Sequence, residues 1–189
     1  DTQLAQALVA VLEHNGISVY IPDRQLEAGM PMISQGVLGP ARQLAERNVA
    51  LLAEAVRQGY TIISTEPSAV LTLKREYLPL LGDDSDAKLV SENVMESCHY
   101  LWRWHHKGRL QLDFKPLDMK VGYHAPCHMK ALEVAGLSIN LLGLIPGFGD
   151  VAGIKSRRAV LGDGAQCLGI GRVGQCRARR DGLAIRQEI

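Results

Sequence analysis

The stretch Tyr60-Thr61-Ile62-Ile63-Ser64-Thr65-Glu66-Pro67-Ser68-Ala69 sets the fold class. Its first half is β-branched and aromatic and reads as a buried strand. Pro67 opens a helix predicted over residues 67–77, since proline is tolerated in a first turn, where its missing N–H has no partner to lose. Another helix is predicted upstream, over residues 40–58, with Leu44, Val49, Leu52, Ala53 and Val56 on its apolar side and Gly59 closing it. Helix, strand and helix with short joints between them point to an α/β fold.

The pattern continues in both directions. Leu4, Leu8, Val11 and Leu12 share one face of a helix predicted over residues 4–14, which Asn15-Gly16 stops. Residues 17–21 read as a short strand ended by Pro22, and residues 23–31 as a loop. Downstream, Asp83-Asp84-Ser85-Asp86 reads as an acidic cap on a helix over residues 87–106, because negative charge suits a helix N-terminus. Residues 120–123 read as a third strand and residues 130–144 as a further helix. The expected architecture is α/β, with a mainly parallel sheet covered by helices. Strands 19–21, 60–63 and 120–123 are expected in one sheet, with the motif loops at their carboxyl edges.

Composition narrows the function classes. The chain has 189 residues, 47% hydrophobic and 22% charged, with a net charge of +1. That balance argues against a dedicated nucleic-acid binder, which shows a marked basic excess. No run of about 18 apolar residues is present, so no transmembrane helix is implied. The first residues, Asp1-Thr2-Gln3, carry no basic n-region, so a cytoplasmic protein is expected, and with no initiator Met a piece of a longer one. The cysteines are Cys98, Cys127, Cys167 and Cys176. In a reducing compartment they suggest metal or redox use rather than disulfides, although Cys98, inside a helical pattern, reads equally well as a packed thiol.

Four stretches, in this order and spacing, resemble a known family. They are Gly29-Met30-Pro31; Thr65-Glu66-Pro67-Ser68-Ala69 followed by Leu73-Lys74-Arg75-Glu76-Tyr77; Asp113-Phe114-Lys115-Pro116; and Val121-Gly122-Tyr123-His124-Ala125-Pro126-Cys127-His128. Over residues 1 to about 149 the chain resembles the cysteine-rich (CCG) domain family. Its members include the iron–sulfur subunits of anaerobic glycerol-3-phosphate dehydrogenase and glycolate oxidase and one of the subunits of heterodisulfide reductase. The family module, usually present in tandem, carries a Cys, then Cys-Cys-Gly, then Cys-Pro-Ser-Cys before a Leu-Lys-x-Glu-Tyr stretch.

The resemblance implies an electron-transfer (iron–sulfur, 4Fe–4S) domain or fragment of a flavin-linked oxidoreductase that oxidises a 2-hydroxy acid or glycerol phosphate. FAD would lie on a partner domain or subunit, beside ferredoxin-type clusters, and any membrane association would be peripheral and through those partners. No substrate site is expected in this chain. Glu27 and Ala28 stand where the first module has its Cys-Cys pair, and Glu66 and Ala69 where it has the cysteines of Cys-Pro-Ser-Cys. Residues 1–117 therefore resemble a degenerate first module, its own first cysteine falling before residue 1, with a cluster incomplete or absent. Residues 118–149 resemble the start of a second module, in which Cys127 takes the place of the first ligand and His124 and His128 flank it as further metal donors.

Residues 150–189 are atypical. They hold no aromatic residue and seven of the fourteen arginines. The second Cys-Cys-Gly, often Gly-Cys-Ser-Gly, should fall near Ala159-Val160-Leu161-Gly162. Codons GGC-TGT-TCT-GGG, read one base later, encode Ala-Val-Leu-Gly, so the tail is read as frameshifted and weakly packed. The rival is a divergent tail in which Cys167-Leu168-Gly169 supplies a shifted ligand. Two other functions stay open. One is a zinc or other His/Cys metal site drawing on Cys98, His99, His105, His106, His124, Cys127 and His128. The other is a non-catalytic scaffold that docks a partner through Tyr100, Trp102 and Trp104.

Overall fold

The computed structural model describes residues 2–119 and 121–148, together with the backbone of residues 152–154 and 182–186. Helix α1 (Thr2–His14) leads into the two-residue strand β1 (Val19–Tyr20). A short helix α2 (Met30–Ser34) precedes the long helix α3 (Leu38–Arg57) and strand β2 (Tyr60–Ser64). Helix α4 (Pro67–Leu71) runs through a π turn (Thr72–Glu76) into α5 (Tyr77–Leu81). Then come α6 (Ser85–Asn93), β3 (Val94–Glu96), α7 (Ser97–His106), β4 (Gly122–His124), α8 (Cys127–Ala131), α9 (Ala135–Leu142), β5 (Ala152–Ile154) and β6 (Gly182–Arg186).

The alternation of side chains along β2 organises the core. Ile62 faces one cluster, made by Ala45, Val49 and Leu52 of α3, Val70, Leu73 and Tyr77 after β2, Ala87 and Val90 of α6, and Val94. Ile63 faces the other, with Leu8 and Leu12 of α1, Ile17, and Tyr100 of α7. Helices thus cover both faces of the strand, as the apolar run at residues 60–64 requires.

Three expectations need correction. First, β4 does not join β1 and β2. The order of the larger sheet is β1-β6-β2-β3, and β4 pairs with β5 in a separate two-stranded sheet. Second, the pairing is mixed rather than mainly parallel: β2–β3 and β4–β5 are parallel, while β6 runs antiparallel to both β1 and β2. The apolar segment Leu183-Ala184-Ile185 supplies a ladder partner on each side, so the tail is tightly paired at residues 182–186. The rest of the tail, including Leu161, Ile170, Val173, Cys167 and Cys176, lies outside the described residues.

Third, two predicted helices are broken. The helix expected over residues 87–106 is interrupted by β3, because buried Val94 is β-branched and pairs with Ile62, and Glu96 then caps a new helix. The helix expected over residues 130–144 breaks between α8 and α9, where Glu133 adopts a left-handed φ of 60°. The acidic cap forms as expected: Asp84 Oδ1 accepts from the N–H groups of Asp86 (2.9 Å) and Ala87 (2.8 Å).

Candidate functional site

The loop Glu27-Ala28-Gly29 is held from beneath by two buried side chains. The Asn48 amide donates to Glu27 O (2.9 Å) and to the Tyr77 hydroxyl (3.0 Å), and Asn48 Oδ1 accepts from Leu26 N (3.2 Å). Tyr77 donates in turn to Ala28 O at 2.9 Å. Each polar atom of this network has a partner, which is the condition for burying it at low cost. Burial pushes the Tyr77 hydroxyl up to about 12, against the lowering effect of its bond to Asn48. Gly29 closes the loop at φ +78°, a conformation that strains any other L-residue, and a Cβ there would lie 2.8 Å from the movable end of the Leu44 side chain.

Tyr77 reaches this position because the helix before it widens. The π turn at Thr72–Glu76 covers most of the Leu-Lys-x-Glu-Tyr stretch and changes the angle at which the next residue leaves the helix. Lys74 and Ser91 lock the turn to α6 through Lys74 Nζ to Ser91 O (3.2 Å) and Ser91 Oγ to Lys74 O (2.7 Å).

The second loop follows β2. Glu66 is the N-cap of α4, and its Oε1 accepts from Ser68 N at 3.3 Å. Its own N–H donates to Ser64 Oγ at 3.0 Å. The carboxylate therefore satisfies a helix-end N–H at a position where the resemblance expects a thiolate. Ala69, one turn on, offers no donor atom.

The third loop carries Cys127. Strand β4 ends at exposed His124, Pro126 stands extended at the N-cap, and Cys127 opens α8 with its side chain exposed. Cys127 thus stands at the expected strand-to-helix turn. Met129 is buried beneath, and His128 Nδ1 lies 2.8 Å from Ser68 Oγ. That contact brings the loop after β2 against the loop after β4. Behind it, burial raises both the Tyr123 hydroxyl and the Cys98 thiol, and Ser138 of α9, beside both, lowers each in part. Glu96 is buried, with Oε1 accepting from Ser97 Oγ (2.7 Å) and Oε2 from His99 N (3.1 Å).

An iron–sulfur cluster requires thiolates, and the described residues offer two thiols. Burial, then the Glu96 charge, pushes the Cys98 thiol up to about 11, so it stays protonated at neutral pH. Among the described residues, no group of three or more His, Cys, Asp or Glu side chains is arranged to hold a metal ion. The donors proposed for a zinc site do not converge there, and the described residues do not fit a four-iron cluster. The aromatic residues of α7 separate: Tyr100 is buried and stacks on Trp104 at 5.8 Å, while Trp102 packs against His105 (5.1 Å) and His106 (4.9 Å).

Comparison with known proteins identifies the relatives of this arrangement. Over 146 residues, 77% of the chain, it is 34% identical to an anaerobic glycerol-3-phosphate dehydrogenase subunit of Escherichia coli (strain K12), covering 36% of that protein. Over 149 residues it is also 34% identical to a fumarate reductase (CoM/CoB) subunit of Methanothermobacter marburgensis, covering 26% of it. The chain is thus similar, over about three quarters of its length, to iron–sulfur subunits of the cysteine-rich type. Another relative, lactate utilization protein A of Shouchella clausii, is 26% identical over 125 residues and is half covered, at 50%. The chain thus spans about a third of the length of the Escherichia coli protein. No family model and no solved structure matches it.

The sequence motifs located all three loops and did not reveal what holds them. Asn48 was hidden because it interrupts an apolar helix face. Tyr77 was visible in its motif, but its role depends on the π turn. The Ser68–His128 contact joins residues 60 apart and left no local signal.

Proposed function

We propose that the chain is part of an electron-transfer subunit of a flavin-linked oxidoreductase, in which residues 1–117 form a first module that keeps its shape without cluster ligands. The observation that carries this reading is the Tyr77–Asn48 network, which holds the Glu27-Ala28-Gly29 loop by protein hydrogen bonds alone. Residues 118–149 would begin a second module whose surviving ligand position is Cys127, with His124 and His128 beside it. The flavin and intact clusters would reside on partner domains or subunits and carry the redox chemistry. A 2-hydroxy acid or glycerol phosphate, oxidised there, would be the electron source. The names of the relatives support this class of reaction, and no helix among the described residues is long and apolar enough to cross a membrane.

The frameshift reading of residues 150–189 accompanies this proposal, and the coding DNA tests both. One of the other two frames should encode Gly-Cys-x-Gly followed by Cys-x-x-Cys. A product restored to that frame should bind iron and sulfide after anaerobic reconstitution. If neither frame contains these motifs, the second module was never encoded here, and Cys167 becomes the next ligand to examine.

A further inference from the structure

We infer that Ser68 and His128 form a clamp that positions the Cys127 turn against the remnant ligand loop of the first module. The inference rests on reading Cys127 as the site residue, but the clamp itself is read independently of any cluster. Strands β2 and β4 lie in different sheets, so no strand ladder fixes the loop after one against the loop after the other. Helix α8 has five residues and no side-chain cap, and a helix of that length is not stable by itself. Its direction must come from tertiary contacts. One is the burial of Met129, which a short helix can retain while pivoting. Another is the bond of 2.8 Å between His128 Nδ1 and Ser68 Oγ, which opposes that pivot.

Ser68 is suited to the task because its own backbone is fixed. Its N–H is held by Glu66 Oε1, and its carbonyl accepts from Thr72 Oγ1 at 2.8 Å. The hydroxyl is thereby presented from a rigid turn. His128 follows Cys127 directly in sequence, so fixing its ring fixes the direction in which α8 starts. Ser68 is thus a positioning residue, acting through His128 on the turn that carries Cys127.

Hydrogen exchange on the full chain tests this. The Lys130 and Leu132 amides are bonded to Pro126 O (3.2 Å) and His128 O (2.9 Å) and report opening of α8. In Ser68→Ala their exchange should quicken about fivefold, the change expected for loss of one net hydrogen bond, while amides of α3 and β2 keep their rates. Ser68→Thr, which keeps the hydroxyl, should restore the original rates. The double variant Ser68→Ala/His128→Ala should exchange no faster at these amides than His128→Ala. Unchanged exchange in Ser68→Ala would overturn the clamp, as would equal loss of protection in Ser68→Ala and Ser68→Thr. Should His128→Ala fail to fold, the Ala/Thr pair at position 68 still decides the matter.

Discussion

Replacing Tyr77 by Phe removes one oxygen atom from the centre of the network that holds the Glu27-Ala28-Gly29 loop. The ring stays, and with it the packing against Ala45, Val49 and Val90. Two bonds are lost: the donation to Ala28 O at 2.9 Å and the acceptance from Asn48 Nδ2 at 3.0 Å. A net bond is worth about 1 kcal/mol, and a buried group left unpaired costs roughly 1–3 kcal/mol. Asn48 keeps its bond to Glu27 O, so the larger penalty falls on Ala28 O. The expected loss is about 3 kcal/mol, or roughly 6–12 °C in midpoint for a chain of this size. Urea denaturation at neutral pH, with slope and midpoint fitted together, measures it. Hydrogen exchange should show the loss first at residues 26–30. A variant within about 0.5 kcal/mol of the parent, where most uninvolved surface changes fall, would refute the claim that Tyr77 holds the loop.

Gly29→Ala should destabilise by roughly 1–3 kcal/mol, because the left-handed φ opposes a side chain; a midpoint equal to the parent's would mean that the loop shifts freely. Asp84→Ala should cost about 1 kcal/mol by urea denaturation through loss of the α6 cap, whereas Asp83→Ala, whose side chain is exposed and pairs with exposed Lys88, should be near neutral. Stability should fall at alkaline pH. Cys98 and Tyr77 hold their protons more tightly folded than unfolded, so their contribution is intact below about pH 9 and is lost as pH rises to about 11 for Cys98 and about 12 for Tyr77. Cys98→Ser should remove the earlier part of that loss in a pH series of thermal midpoints, and an unchanged profile would contradict the burial argument.

The elements most legible in the sequence were those whose signal is local. Strand β2 appears at the residues its β-branched run marks, and α3 follows its apolar stripe to within two residues at the start and one at the end. Asp84 does what an acidic N-cap does. The breaks in the two later helices were illegible for a physical reason. Val94 and Met95 fit the helical apolar face as well as they fit a strand, and only pairing with Ile62 and Ile63 decides between them. The strand order was illegible for the same reason, since β6 lies nearly 120 residues beyond β2 and its place between β1 and β2 is a non-local choice. At the site, the resemblance placed ligand positions at Glu27, Ala28, Glu66 and Ala69, where the sequence has no cysteine. The contacts that hold these loops come from Asn48, Ser68, Tyr77 and His128, which share no spacing that sequence alone could read.

Iron and acid-labile sulfide per chain, measured after anaerobic reconstitution with ferrous iron and sulfide followed by desalting, test the account most directly. The Glu27-Ala28-Gly29 loop is held by hydrogen bonds, and Cys127 is the one exposed thiol among the described residues. The account therefore predicts a folded, colourless protein that retains less than about one iron, far short of the roughly four thiolates a four-iron cluster needs. A brown product with iron and sulfide each near about four per chain would contradict it.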